Sequence, residues 1–347
     1  MKDKIFVGIS GGVDSSVVAY LLKKQGYDVH GIFVKTWSPE WIPCTWINEK
    51  RDAMRVCATL NIPFHFLDAE DEYKNGVANY MIEEYRKGRT PNPDVFCNRI
   101  IKFGAMWEYA KNQGAKAIAT GHYARINNSK LLTGLDKNKD QSYFLWMIKS
   151  EELRHILFPI GHLEKREVRK IAEKINLFTN NKKDSQGICF LGDIDMRDFL
   201  SHYIEQKKGN VLNENNEIIG HHDGVCFYTI GERHGFHIIK KGTNDKPYYV
   251  LSKDINNNTL MVSQNKNNKD ISDVQNIKLR EVNWIEKYDI GKKYKSQIRY
   301  RGSFLETDII DNNHVILKIN ERISLGQSLV IYDGDILVGG GIIDVVY

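Results

Sequence analysis

The sequence predicts an α/β fold: a doubly wound parallel sheet, then a small central module and a C-terminal β-barrel. Three observations carry that expectation. Apolar, β-preferring runs alternate with segments of helical period through the first half of the 347-residue chain. A glycine turn, Ser10-Gly11-Gly12, stands between the first such run and the first helix. From Lys207 onward the texture changes to short alternating runs separated by Asn, Asp and Gly, and Asp333-Gly334 between two of them is a strong hairpin signal. The divisions that follow are 1–206, 207–272 and 273–347.

Taken in order, Ile5, Phe6, Val7 and Ile9 make a buried strand, and Val17, Val18, Leu21 and Leu22 give the next segment a helical face. A second strand covers 29–34. Residues 49–60 read as a helix through Met54, Val56, Cys57 and Leu60, followed by a strand at 64–67. A helix over 71–86 ends before 87–94, a stretch dense in turn formers. Residues 98–112 return to helical period with Ile100, Phe103, Trp107 and Ala110 on one face, and 117–119 is a short strand. A helix over 164–175 completes the sheet's last crossover. Later, 248–252 pairs with 259–263, and 328–332 with 335–338, as hairpins. In doubly wound sheets ligands bind at the carboxyl ends of strands, where Ser10, Val34 and Gly121 stand.

With 41% hydrophobic and 27% charged residues the chain reads as globular. No apolar run approaches the roughly 20 residues that span a bilayer, and residues 1–4 lead into a strand without a signal-peptide core. The expected location is cytoplasmic, with no membrane partner. Five cysteines without regular spacing argue against a disulfide framework, and the lack of a Cys-x-x-Cys pair argues against a zinc ribbon. A net charge of +5 suits a nucleic-acid partner without demanding one.

The stretch from Ser10 to Ser16, SGGVDSS, has the residues of an anion cradle. Its glycines let successive N–H groups turn inward, the following helix adds its positive end, and Ser10 and Ser15 supply hydroxyls. No Gly-Lys-Ser/Thr follows, so it is not the common P-loop. Two cysteines stand in unusual company. Cys97 lies just before Asn98, which reads as a helix N-cap, and a thiol at a helix N-terminus is favoured as thiolate. Asp94, three residues earlier, can act as a general acid or base. Cys189 follows Lys182, Lys183 and Gly187. A single cysteine is more often inert core filling, which suits Cys57 and Cys226; Cys44 suggests no role.

SGGVDSS resembles the pyrophosphate (PP) loop of the N-type ATP pyrophosphatases, which split ATP between its α and β phosphates and leave an adenylate on a carbonyl oxygen. Two reactive cysteines beside such a loop narrow the chemistry, because a persulfide on one can deliver sulfur and the other can release it as a disulfide. Together with Thr90 to Phe103, Ala119-Thr-Gly-His-Tyr123, Lys139 to Phe144, Asp184 to Phe190 and Gly339 to Ile343, the chain resembles the bacterial tRNA 2-thiouridylase family, in order from residue 5 to about 344.

The resemblance implies 2-thiolation of the wobble uridine of tRNA. Gly8, Ile9, Ser10, Gly11, Gly12, Val13, Asp14 and Ser15 would hold ATP, with Val34 and Gly121 at the adenosine. Cys189 would carry the persulfide and Cys97 would be the nucleophile that ends in a disulfide with it. Asn92, Pro93 and Asp94 would meet the target base, and Lys139, Asp140 and Gln141 would contact tRNA. Residues 297–301 read as a tRNA-contacting strand, with Arg299 and Tyr300 as its contacts and alternation placing Arg299 and Arg301 on one face. Mg²⁺ would accompany ATP, with Asp14 a candidate ligand. No permanently bound cofactor is expected, since Cys97, Cys189 and Asp94 are a weak signature of an iron–sulfur cluster. The implied partners are the anticodon loop and stem of tRNA and a sulfur donor, either a cysteine desulfurase or a relay protein. Glu232 and His234 stand where the family usually has Gln and Lys. Two alternatives remain open on the residues alone: an amide-forming synthetase of the same superfamily, and a tRNA-binding protein that has lost catalysis.

Overall fold

Strand β1 (Lys4–Gly8) is the centre of a five-stranded parallel sheet. Its flanking strands are β2 (Asp28–Lys35) and β3 (Phe64–Asp68) on one side, and β4 (Ala117–Ala119) on the other. The computed structural model describes residues 2–43, 46–182, 189, 194–239, 246–265, 273–319 and 322–347. Cys44 and residues 184–188 lie outside these. The strand order reverses at β1, which opens a crevice between the ends of β1 and β4.

Side-chain alternation divides β1 cleanly. Ile5 and Val7 face one layer, where Val17, Val18 and Leu22 of α1 (Val13–Lys24), together with Val56 and Cys57 of α2 (Trp46–Thr59), are packed. Phe6 faces the other layer, with two long helices, α3 over 70–86 and α4 over 93–112. Both contain a π-wound stretch, Lys74–Ala78 in α3 and Cys97–Ala105 in α4. The expected helix at 98–112 therefore starts five residues early. Pro93 occupies its first position, where the missing N–H costs nothing, and Asn92 is the N-cap. Its buried residues are Val95, Cys97, Asn98, Ile101, Phe103, Met106 and Ala110, while Ile100 and Trp107 are only partly covered, because the wider winding rotates the inner face away from a 3.6 period.

A hairpin of β5 (Ala124–Asn127) and β6 (Lys130–Thr133) leaves this sheet altogether and joins the C-terminal one. The parallel sheet ends with β7 (Ile156–Leu157), followed by α5 (Lys165–Lys174) and α6 (Met196–Ser201). The middle sheet comprises β8 (Gly209–Leu212), β9 (Ile218–His222), β10 (His237–Ile238), β11 (Tyr249–Asp254) and β12 (Thr259–Ser263). The last six strands are β13 (Val274–Trp284), β14 (Lys293–Gln297), β15 (Leu305–Ile309), β16 (His314–Lys318), β17 (Ser328–Asp333) and β18 (Ile336–Val346). Pairing of β13 with β18 closes them into a barrel, and Gly334 (φ 60°) turns the expected hairpin between β17 and β18.

One sequence expectation fails here. The strand expected over 297–301 stops at Gln297, and 298–301 form a bend and turn in which Arg301 is left-handed (φ 58°). Alternation of Arg299 and Arg301 on one strand face does not apply. Among the described residues no helix is long and apolar enough to cross a membrane.

Candidate active site

The glycine turn after β1 is held by its own serines. Ser10 N–H donates to Ser15 Oγ (3.3 Å), Gly12 N–H to Ser10 Oγ (3.4 Å), and Ser16 Oγ donates to Gly12 C=O (2.7 Å). Gly11 has φ 72°, and a Cβ there would lie 2.9 Å from Cβ of Asp52, so the turn demands glycine twice over. Ser10 is exposed at the mouth of α1, where the helix dipole favours an anion. Gly8, Ile9 and Val13 lie behind it: Ile9 N–H is engaged by Ile32 C=O (2.8 Å), and Val13 is buried. Val34 is also buried, in the layer with Phe6, so it can present only its backbone to a ligand. Gly121, at the end of β4, closes on the helix start. A Cβ there would sit 3.1 Å from Asp14 Cβ and 3.2 Å from Ser15 N. The residues expected to bind a nucleotide are thus brought together in the crevice.

Sequence reading missed the cation at this turn. Lys165, the first residue of α5 and nearly buried, spans both Asp14 carboxylate oxygens at 2.8 and 2.7 Å. Tyr123 Oη donates to Asp14 as well (2.8 Å). With its carboxylate so occupied, Asp14 is a poor magnesium ligand, and among the described residues no cluster of three His, Cys, Asp or Glu offers another site. The donor set does not fit a protein-held magnesium. Lys182 donates to Gly11 C=O (3.1 Å) and to Asp52 (3.0 Å), a second cation at the turn.

The second cluster lies on α4. Cys97 is fully buried, Cys189 half-buried, and the Cys97 thiol hydrogen-bonds the Cys189 sulfur. Two bonds fix the backbone of Cys189: its N–H donates to Asp94 Oδ1 (2.9 Å), and Tyr73 Oη donates to its C=O (2.8 Å). The electrostatics reverse the expectation drawn from the helix N-terminus. Cys97 lies a full turn inside α4, and burial pushes its thiol well up, reinforced by the bond to Cys189. Cys189 is lowered, because the hydrogen bond from Cys97 outweighs burial and Lys102 adds its charge. The thiolate belongs to Cys189. Burial raises the Asp94 carboxyl, against the pull of Cys189 N–H and Lys102, which suits a group that exchanges protons. Cys57, pushed by burial to about 12, and Cys226, also raised by burial, match the inert reading.

Residues 3–193 match the family described as the tRNA methyl transferase HUP domain, 197–264 its PRC-barrel domain, and 274–343 an aminomethyltransferase β-barrel domain. The chain is 42% identical over 358 residues to a tRNA-specific 2-thiouridylase MnmA of Lysinibacillus sphaericus, covering 99% of this chain and 95% of that one. A Geobacillus thermodenitrificans protein of the same name is 43% identical over 359 residues, covering 100% and 96%. One from Staphylococcus epidermidis is 42% identical over 363 residues, covering 99% and 96%. The chain belongs to the tRNA-specific 2-thiouridylase family.

The residues expected to contact tRNA also make bonds within the protein. Asp140 accepts from Gly134 N–H (2.7 Å), Ser142 N–H (3.1 Å) and Ser142 Oγ (3.0 Å), and Gln141 Oε1 accepts from Tyr123 N–H (3.1 Å). Their side chains hold the loop that presents Lys139. Tyr300 packs on Phe144 (ring centroids 4.5 Å apart), and Phe144 C=O accepts from Asn98 Nδ2 (3.1 Å) on α4. The barrel turn carrying Arg299 is therefore linked to the helix that carries Cys97. Arg301 lies over the Tyr300 ring (5.0 Å) and donates to Asn138 C=O (2.9 Å). Glu232, where the family usually has Gln, accepts from Thr229 N–H (2.9 Å) and serves its own turn. His122 and Lys102 also reach this site. Only their membership in the 119–123 and 101–103 motifs pointed to them.

Proposed function

We propose that the chain is an ATP-dependent tRNA-uridine 2-sulfurtransferase, acting in the cytoplasm on the wobble uridine. One observation carries the reading: Cys189 in hydrogen-bonding contact with Cys97 beside Asp94, the latter two on a helix whose Met106 packs within reach of Gly8 behind the SGG turn. An amide-forming synthetase needs no such pair. The family labels speak of methyl transfer while the full-length relatives are named for thiolation, and paired cysteines agree with thiolation.

In this reading the turn from Gly8 to Ser15 and Lys165 bind the phosphates of ATP, and magnesium enters with the nucleotide. The C2 oxygen of uridine attacks the α-phosphorus, pyrophosphate leaves, and Asp94 accepts the N3 proton. The terminal sulfur of a Cys189 persulfide bonds to C2, and AMP departs with the C2 oxygen. Cys97 then attacks Cys189 Sγ. The bond to the transferred sulfur breaks, its electron pair stays with that sulfur, and the Cys97 proton passes to N3 through Asp94. The products are 2-thiouridine and a Cys97–Cys189 disulfide, which a thiol reductant reopens and a sulfur donor, a cysteine desulfurase or relay protein, reloads. A uridine in an anticodon loop is single-stranded and can be splayed into such a pocket at low cost. Asn92, Pro93 and Asp94 face it, while Lys139 and Arg299 meet the backbone beside Tyr300. Residues 1–206 carry the chemistry, with 207–272 and 273–347 holding tRNA.

The test is thiolation of tRNA by the purified chain with ATP, Mg²⁺, cysteine and a cysteine desulfurase, read as 2-thiouridine in digested tRNA. Cys97→Ser and Cys189→Ser should each lose about a thousandfold or more of product while binding ATP normally. Normal thiolation by either variant overturns the reading.

A further inference from the structure

Lys102 has no part in the scheme above, yet it stands at the centre of the sulfur site. It follows Cys97 by five residues in the π-wound part of α4, where each N–H reaches back five residues, as Met106 N–H does to Ile101 C=O. That winding stacks residue i over residue i+5, so Lys102 shares the face of Cys97; the tighter α-winding would carry it off that face. The second fixing point is His122, 6% exposed, whose Nε2 lies 3.4 Å from Lys102 Nζ and whose Nδ1 lies 2.7 Å from Thr120 Oγ1. Burial, with Lys102 beside it, holds His122 neutral. In that state Nε2 accepts from the ammonium and Nδ1–H donates to Thr120, so the imidazole directs the lysine without adding charge.

Among the described residues, the groups that act on the Cys189 sulfur are Asp94, Cys97 and Lys102 from α4 and Tyr73 from α3, while His122, from the loop after β4, faces Lys102. Among these, Lys102 is the single cation. Burial works against its charge, but Cys189, Cys97 and Asp94 together hold it protonated. We propose that Lys102, aimed by His122 and Thr120, is the resident counter-cation of the anionic sulfur carried on Cys189. This deepens the reading of the site as a sulfur-transfer centre and rests on it for its biological meaning. A persulfide keeps its negative charge on the outer sulfur, in the half-buried place that Cys189 occupies, and an ammonium there stabilises it where water is scarce. Lys102 takes no part in holding ATP.

The decisive measurement is the pH profile of iodoacetamide alkylation at Cys189, read by peptide mass spectrometry on the full chain without tRNA or sulfur donor. Lys102→Met should move the midpoint up by about a unit or more and slow alkylation near neutral pH about tenfold. Lys102→Arg, which keeps the charge, should stay within about threefold of wild type, and ATP affinity should be unchanged in both. A Lys102→Met profile that superimposes on wild type overturns the proposal. If Lys102→Met does not fold, His122→Asn carries the test. An upward shift of its midpoint supports the proposal, and an unshifted one overturns it. Because this assay involves no tRNA, a failure to thiolate would strike the proposed function and leave the lysine's role standing, and the reverse also holds.

Discussion

Asp14 and Lys165 face each other across the SGG turn with little solvent, the two side chains being 29% and 11% exposed. A carboxylate at the first turn of α1 complements the helix dipole, but it also opposes an incoming phosphate. The pair resolves this if ATP displaces the carboxylate from Lys165 and takes the ammonium for itself. Lys165→Met should therefore weaken ATP binding about tenfold or more by calorimetry. Asp14→Asn should take the carboxylate charge away from Lys165 and lower stability by roughly 1–3 kcal/mol in urea unfolding, a figure reduced from that of a fully buried pair because Asp14 is partly solvated. Unchanged ATP affinity in Lys165→Met would show that the lysine is a strut for α5 and nothing more. The same scale governs the thiols. With Cys189 lowered and Cys57 near 12, brief alkylation near neutral pH should label Cys189 long before Cys57 or Cys97. Labelling of Cys97 first would contradict the electrostatics described here. The type of each of these residues was legible in the chain. Which of the two cysteines carries the charge was not, because that depends on a lysine, a histidine and the depth of burial, none of which has a sequence pattern.

The π-wound stretches of α3 and α4 show where element-level reading ran out. A 3.6-residue period is the template by which apolar faces are recognised, and a π segment imitates it with a slipped phase. The helix was legible from residue 98 onward, but its start was hidden by Thr90-Pro-Asn-Pro, whose turn-forming character belongs to Asn92 as cap and Pro93 as first residue. The two π segments pack on each other. Gly76, in the middle of the first, has Ile100 of the second over it, and a Cβ at Gly76 would lie 2.6 Å from Ile100 Cδ1. Gly76→Ala should therefore cost about 1–3 kcal/mol by overpacking. Ile100→Ala made in the same chain should recover part of that loss, so the double variant is less unstable than the sum of the singles. Strict additivity in urea unfolding would show that the helices do not meet as described. Four strands of the parallel sheet, β1 to β4, were readable from their apolar runs, whereas β7, two residues long, is too short to show a pattern. The turn at Arg301 was not legible either, because a run of five residues with β-like alternation contains no sign that its last four leave the ladder.

At the scale of the molecule, the three sheets are less separate than composition suggests. The change of texture at Lys207 marks where strands no longer alternate with α-helices, yet β5 and β6 lie far upstream of it and extend the barrel sheet through Ile336 and Leu132. Nothing local to those eight residues could announce a partner in another part of the chain. Tyr143 Oη donates to Ser328 C=O (2.8 Å), and Asn283 Nδ2 donates to Trp146 C=O (2.7 Å) and Ile148 C=O (2.9 Å), so the barrel seats on the loop that also holds Phe144 and Tyr300. The strongest tie is Glu84 of α3, 4% exposed, held by Arg89 at 2.6 and 2.5 Å and by Arg280 of β13 at 2.5 Å. Burial pushes the Glu84 carboxyl up, but the Arg89 bonds and the Arg280 charge overcome it and its pKa ends below the ordinary value. Two guanidiniums share this one buried carboxylate, and although Arg280 also has Asp344 at 3.5 Å, loss of the carboxylate removes the charge that draws both of them to α3. Glu84→Gln should lower stability by about 3 kcal/mol near neutral pH and weaken tRNA binding, with ATP affinity unchanged. The pH dependence has a definite sign. A carboxyl lowered by folding contributes stability that is fully present above its unfolded value, about 4.3, and is lost as pH falls through the folded value. The stability gap between wild type and Glu84→Gln should then stay level from about pH 7 to 5 and narrow below about pH 4. A gap that persists undiminished at the acid end would mean that the glutamine variant fails through packing, and that the carboxylate's charge does not join the barrel to the α/β sheet.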